Sequence, residues 1–233
     1  MQHLIKTIDL SFNYRLQQHQ IPFFRKKVWD FVGWGAEVFH NHDIEEGTII
    51  GNKHRYPLVQ YRTCGGYANM WGVNEGAEAL LRLGENAHFL PALHKPIIEP
   101  FTMCLTPYNE PQLYKLFGYV PFHKNAYQEY RQAANFRARI AILERILTNH
   151  LVAFVYGVGW ELDKTMPLQV VLHDITEVGR AVYQPADKSA KNVYTAFDLS
   201  FYVNIELPDQ AGIGCLTALG YGLLKRWEEI NHY

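Results

Sequence analysis

The chain has 233 residues, 48% of them hydrophobic and 19% charged, so it can bury a sizeable core and wholesale disorder is excluded. That length holds one large domain or two small ones. With 22 Lys and Arg against 23 Asp and Glu the formal net charge is −1, which excludes a global polycation and confines any nucleic-acid site to a local patch.

Residues 4–16 alternate. Leu4, Lys6, Ile8, Leu10, Phe12, Tyr14 and Leu16 fall on a mostly apolar side and Ile5, Thr7, Asp9, Ser11, Asn13 and Arg15 on a mostly polar one, which predicts a half-buried strand. Pro22 suits the first turn of a helix whose stripe is Val28, Phe31, Val32, Gly35, Ala36 and Phe39. Tyr56 to Arg62 reads as a strand, Gly65-Gly66 as a turn, and Tyr67 to Val73 as the returning strand. Asn74 is a candidate N-cap for a helix through Ala77, Leu80 and Leu81 that Gly84 can end, and Ile97 to Leu105 is a further strand. The order strand, helix, strand, strand, helix, strand predicts an α+β, ferredoxin-like (RRM-like) unit over residues 1–106, an antiparallel sheet with helices on one face.

A second unit is expected over residues 107–233. Phe136, Ile140, Leu143, Leu147, Leu151 and Phe154 step by three or four and predict a long helix, with Arg131, Arg137, Arg139 and Arg145 on its other face. Leu168 to Leu172 and a loop around Pro185 to Ala190 follow. The next strand alternates, with Leu199, Phe201, Val203, Ile205 and Leu207 facing one way. The chain closes through Gly212-Ile213-Gly214 and Gly220-Tyr221-Gly222. Cys64, Cys104 and Cys215 are far apart and make neither a metal spacing nor a fully paired disulfide set. The N-terminus lacks the apolar run of a signal peptide. The most apolar stretch, Leu143 to Trp160, is interrupted by Glu144, Arg145, Asn149 and His150, so no membrane span and a cytoplasmic location are expected.

Four constellations could carry chemistry. In Phe39-His40-Asn41-His42-Asp43 two imidazoles stand two residues apart; in an extended segment they share a face, with Cα atoms roughly 6–7 Å apart. One can accept a proton and the other donate one across a phosphate. A helix C-terminus would favour the protonated form of one. A zinc or iron fragment completed by Asp43 and His54, and a pair of solvated histidines, are the other readings of these residues. Lys53-His54-Arg55-Tyr56-Pro57 is a basic loop whose cations and phenol could hold a phosphate, or simply be solvated. The glycine-rich run 212–222 could cradle phosphate with backbone N–H groups, or be a tight structural loop. The arginines of the long helix are a binding stripe or a solvated face, and the many tyrosines could stack bases.

His40-Asn41-His42-Asp43, then Arg55-Tyr56-Pro57-Leu58-Val59-Gln60-Tyr61, then Gly72-Val73-Asn74-Glu75-Gly76-Ala77-Glu78-Ala79-Leu80, and finally Pro208 to Gly214 through Gly220-Tyr221-Gly222, resemble in that order the CRISPR repeat-processing endoribonucleases of the Cas-six family, b-type branch, within the RAMP superfamily. The resemblance implies tandem ferredoxin-like domains and metal-independent cleavage of repeat RNA, with no cofactor. It implies catalytic roles for His40 and His42 and RNA binding by the loop of Gly212, Gly214, Gly220 and Gly222. Lys53, Arg55 and Tyr56 are then candidates to steady the phosphate, and Arg137 and Arg139 to bind RNA. One departure is Cys215-Leu216-Thr217-Ala218-Leu219, where the family commonly has basic residues. A weak or inactive hairpin-binding subunit and a metal-dependent hydrolase therefore stay open as alternatives. Repeat RNA is the expected partner; other CRISPR effector subunits and a homodimer are left open, as is which histidine is base and which acid.

Overall fold

The computed structural model describes residues 2–33, 36–39, 42–45, 48–52, 56–86, 88–107, 109–122, 124–162, 167–183 and 192–227, with the backbone alone for 42–45, 48–52 and 124–125. The alternating N-terminal segment forms β1 (Gln2–Arg15), and Ile8, Leu10 and Phe12 are buried on the expected face. The pattern inverts at the start of the strand. Leu4 is 65% exposed whereas Ile5 is buried, because Ile5 faces the other half of the molecule.

Helix α1 (Ile21–Val32) carries Pro22 in its first turn and buries Ile21, Phe24 and Val28. It ends earlier than its stripe suggests: Gly33 at φ +76° closes it, and only a short 3-10 turn, Glu37–Phe39, continues the run. A hairpin of β2 (His42–Glu45) and β3 (Thr48–Asn52) follows and had no counterpart in the sequence reading. Strand β4 (Val59–Cys64) begins three residues after Tyr56 and pairs with β5 (Tyr67–Val73). Then come α2 (Glu75–Gly84) and β6 (Glu99–Cys104). Asn74 does not cap α2 with its side chain. Its Oδ1 accepts from the Lys6 N–H at 3.0 Å and its Nδ2 donates to the Val158 carbonyl at 3.0 Å, tying β1 and the second half to the helix start.

The second half runs β7 (Gln112–Tyr119), α3 (Lys124–Gln132), α4 (Phe136–Gly157), β8 (Val170–Tyr183), β9 (Asn192–Val203) and β10 (Leu223–Arg226). Arg131 thus belongs to α3, not to the long helix, and Phe136, expected in the buried stripe, is 69% exposed at the first turn of α4. By length and hydropathy α4 is, against expectation, long and apolar enough to cross a bilayer. Here it is a core helix that buries Leu143, Ile146, Leu147, Leu151, Phe154 and Val155.

Both sheets are antiparallel, in the orders β4-β5-β1-β6 and β10-β7-β9-β8. Counting the four sheet strands of each half from its own start, both orders read 2-3-1-4 from one edge or the other, the ferredoxin-like arrangement, so the fold is two such α+β units in tandem. One hydrophobic cluster spans them: Ile5, Trp71, Val73 and Met103 of the first sheet pack with Leu151, Phe154 and Val155 of α4 and with the second sheet. A second cluster fills the space between the first sheet and its own helices.

Candidate functional site

The segment that delivers the histidine pair is held from two directions. Phe39 is buried, and its carbonyl accepts from Trp29 Nε1 of α1 at 3.0 Å and from the Tyr61 hydroxyl of β4 at 3.5 Å. The chain therefore leaves a fixed point as it enters residue 40. His40, Lys53 and Arg55, with the alternative metal ligand His54, lie outside the described residues, and so do the side chains of His42 and Asp43. In the backbone, His42 opens β2 opposite Asn52. Helix α1 stops at Val32 and His42 opens β2, so the C-terminus of α1 is not at His42.

Arg25 stands on α1 beside this fixed point and was not singled out from the sequence. Its guanidinium lies 4.7 Å from the Trp29 ring and 5.9 Å from the Tyr61 ring. Its Nε is buried without a hydrogen-bond partner. Burial pulls its pKa down, opposed only by Tyr61 and by Tyr183 at the end of β8, two phenols in place of a carboxylate. Cation–π contact offsets part of the desolvation, but a desolvated guanidinium with no anion among the described residues is costly. Next to the same turn, a cavity of about 680 Å³ between α1 and α2 is lined by Glu37, Glu75, Glu78 and Arg82, a surplus of carboxylates unsuited to phosphate.

The expected phosphate contact at Tyr56 is corrected. Tyr56 is buried, its ring meets Phe154 at 4.9 Å edge-on, and its hydroxyl accepts from Gln60 Nε2 at 2.7 Å. Desolvation raises its pKa well above that of a free phenol. A Cβ at Gly157 would run into Tyr56, so the ring is a wedge between β4 and α4. Gln60 then hands the chain of bonds on: its Oε1 accepts from the Gly212 N–H at 2.9 Å.

Packing requires the glycines of the run. A Cβ at Gly212 would sit 2.7 Å from Gln60 Oε1. One at Gly214 would sit 2.7 Å from the Tyr119 ring, and one at Gly220 2.9 Å from Arg62 Cβ. Gly214, Gly220 and Gly222 all have positive φ. Arg62, buried on β4, donates from Nε to Asn69 Oδ1 at 2.6 Å, from Nη2 to Asp9 Oδ2 at 2.8 Å, and from Nη1 to the Gln210 carbonyl. Gln18 Nε2 reaches the Leu219 carbonyl at 2.8 Å. The run is thus clamped to the first domain at both ends.

The Cas6b N-terminal domain profile matches residues 3–96 and the Cas6b C-terminal domain profile matches residues 107–227. The chain belongs to the Cas6b family. It is similar to a solved structure described as a crystal structure of Cas6b, at 15% identity and TM-score 0.74, covering 97% of this chain and 100% of that one. A second, described as the CRISPR RNA processing endoribonuclease Cas6b, gives 14% identity and TM-score 0.66 over 97% and 100%. A third, the type IV Cas6 crRNA endonuclease Csf5, gives 11% and 0.62 over the same shares. At these identities the structures establish the tandem fold. No curated protein sequence matches the chain.

In this Cas6b chain Arg137 and Arg139 are both exposed on the first turns of α4, with Arg139 5.7 Å from the Tyr130 ring. Arg145 Nη2 donates to both carboxylate oxygens of Glu129 at 2.7 Å. Among the described residues no three His, Cys, Asp or Glu side chains come together as a metal site.

Proposed function

We propose that this chain is an endoribonuclease that cuts the repeats of a CRISPR precursor transcript without a metal ion. The observation that carries the reading is the ordered match of both Cas6b domain profiles over residues 3–96 and 107–227. Family relatives support the substrate: two of the solved structures are described as a CRISPR RNA processing endoribonuclease and a crRNA endonuclease.

RNA supplies its own nucleophile. One imidazole of His40 and His42 removes the 2′-hydroxyl proton, the oxygen attacks the adjacent phosphorus, and the other imidazole protonates the departing 5′-oxygen. The ends are a 2′,3′-cyclic phosphate and a 5′-hydroxyl. Charge grows on the non-bridging oxygens in the transition state and calls for a cation. Arg25 is the candidate among the described residues, since it stacks on Trp29, whose Nε1 holds the Phe39 carbonyl, and no described carboxylate pairs with it. Lys53 and Arg55 are further candidates. Arg137 and Arg139 remain candidate contacts to the RNA strand.

The test is cleavage of labelled repeat RNA in EDTA. The wild type is expected to cut and to leave the cyclic phosphate. The His40→Ala, His42→Ala variant should lose roughly 10²–10⁴-fold in rate, and a 2′-deoxy substitution at the cut site should abolish the reaction. A double variant that cuts at the wild-type rate, or a reaction that EDTA abolishes, overturns the reading.

A further inference from the structure

A second cavity, of about 820 Å³, lies in the second domain where the helix-covered face of its sheet runs past the end of α3. It falls within the roughly 300–1,000 Å³ range of small-molecule pockets. Its floor is apolar. Phe122 is buried and meets Tyr127 at 5.7 Å and Tyr130 at 4.8 Å, while Val193 of β9 is left 49% exposed because no helix covers it. Its walls are cationic. Arg131 rises from α3, its guanidinium 6.0 Å from the Tyr127 ring, and Arg180 rises from β8 opposite Thr195 of β9. Neither guanidinium is ion-paired with a described residue, and among the described residues no Asp or Glu lines the cavity. Glu177 is close enough to act on Tyr127 and Tyr130 but stands outside the lining.

In a chain with one more acid than base, a pocket whose described lining holds two arginines and no acid is a local inversion of charge. The cavity beside the Phe39 turn has the opposite bias. Three exposed carboxamide side chains, Gln128, Gln132 and Asn192, complete the lining. A planar ligand with apolar faces, a hydrogen-bonding edge and an attached anion matches all three features at once: aromatic rings stack it, amides read its edge, and guanidiniums hold its charge.

We propose that this pocket takes an unpaired nucleotide of the RNA substrate, with its base against Phe122 and Tyr127 and its phosphates on Arg131 and Arg180. The proposal rests on the RNA-processing reading for its choice of polymer, but not on the histidine chemistry. The hairpin that carries Arg180 also carries Tyr183, three residues and roughly 10 Å further along β8, to the first domain and Arg25.

The experiment uses the full chain and single-stranded dodecauridylate RNA containing 5-iodouridine. Binding is titrated across a salt series, and photo-cross-links are mapped by peptide mass spectrometry. The expected cross-link falls on Tyr127, Phe122 or Tyr194. Arg131→Gln with Arg180→Gln should weaken binding about tenfold and lower the slope of log K against log salt by roughly 1.4, the share of two phosphate contacts on a single strand. Val193→Trp, which fills the floor and keeps both charges, should remove the cross-link while the slope stays. Cross-links confined to other regions, or a slope unmoved by the double arginine variant, overturn the proposal, as does failure of the wild type to bind. The His40→Ala, His42→Ala chain separates the two readings. If it retains the pocket cross-link and cuts at the wild-type rate, the pocket stands and the cleavage mechanism falls; if it loses cleavage while the cross-links lie elsewhere, the pocket falls and the mechanism stands.

Discussion

The two domains share a strand order but differ in what joins their third and fourth strands. In the first, α2 connects β5 to β6 and buries Ala77, Leu80 and Leu83 on its own sheet. In the second, residues 204–222 connect β9 to β10 with only a 3-10 turn, Thr217–Leu219, in place of a helix. The apolar side chains of that segment do not stay at home. Ala211 and Ile213 enter the cluster shared by both domains, and Leu219 joins the cluster of the first domain. A helix makes a domain self-sufficient; a glycine-rich segment can lie flat enough to be shared. The boundary between the domains is therefore a boundary of topology, not of packing.

The sharpest way to break this comparison is Gly222→Ala. Gly222 sits at φ +69°, and a Cβ there would run into the Ile213 carbonyl, a backbone atom that cannot swing away. Its own N–H donates to the Gly118 carbonyl at 3.1 Å and its carbonyl accepts from the Ile213 N–H at 2.8 Å, so relief by moving the chain costs both bonds. A loss of about 3 kcal/mol or more is expected, read as a fall in the urea midpoint. Because the segment is shared, circular dichroism and the fluorescence of Trp29 and Trp71, both in the first domain, should move together. A variant in which the first domain stays folded while the second melts would show that the domains are energetically separate after all.

Next in size is Arg62→Met. The arginine is buried, and its three bonds gather Asp9, Asn69 and the Gln210 carbonyl from both domains. Methionine keeps most of the volume but leaves Asn69 and the carbonyl short of a donor, while the half-exposed Asp9 can turn to water. About 2 kcal/mol is expected. The companion Asp9→Asn should cost less, because it keeps an acceptor for the guanidinium. If Asp9→Asn costs more than Arg62→Met, the clamp works through charge within the first domain and not through its reach to the second.

Several of these elements were legible beforehand, and the failures have common causes. The ends of β5 and α2 follow from Gly65-Gly66 and Gly84, and β1 from its alternation, since one face of each packs inside its own domain. Ile5 escapes the local pattern because its partner surface belongs to the other domain, which a local period cannot show. Strand β7 was missed because a bulge between Leu116 and Tyr119 breaks the period of two, and β10 because it has four residues. Tyr56 was grouped with its basic neighbours in sequence, although its aromatic ring had an apolar destination. The glycine run was read in both of its senses, and the structural one accounts for its contacts. Arg25 looked like any charge on an amphipathic helix. Its one signal was Trp29 at i+4, the spacing that stacks a guanidinium on an indole. The site at His40 and His42 was legible as a motif, while Arg131 and Arg180, distant in sequence, meet only through the sheet.

The most local effect concerns Cys215, inside the shared segment and packed with Val120, Ala181 and Ala196. Burial pushes its thiol up to about 11 from an ordinary value of 9. The folded state thus holds its proton more tightly than the unfolded one. The stabilising contribution is full below about pH 9 and is lost as pH rises through 11. Buried tyrosines such as Tyr114, raised to about 12, extend the same loss to higher pH. Alkylation at pH 8 gives the direct measurement. Cys64 is exposed and should label within minutes, whereas Cys215 should label only as fast as the segment opens. If the comparison between α2 and the glycine segment holds, added urea below the unfolding transition should leave Cys215 protected until both domains unfold. Labelling of Cys215 at the rate of Cys64 in the native state would mean that the segment lifts off on its own, and that the second domain does without it.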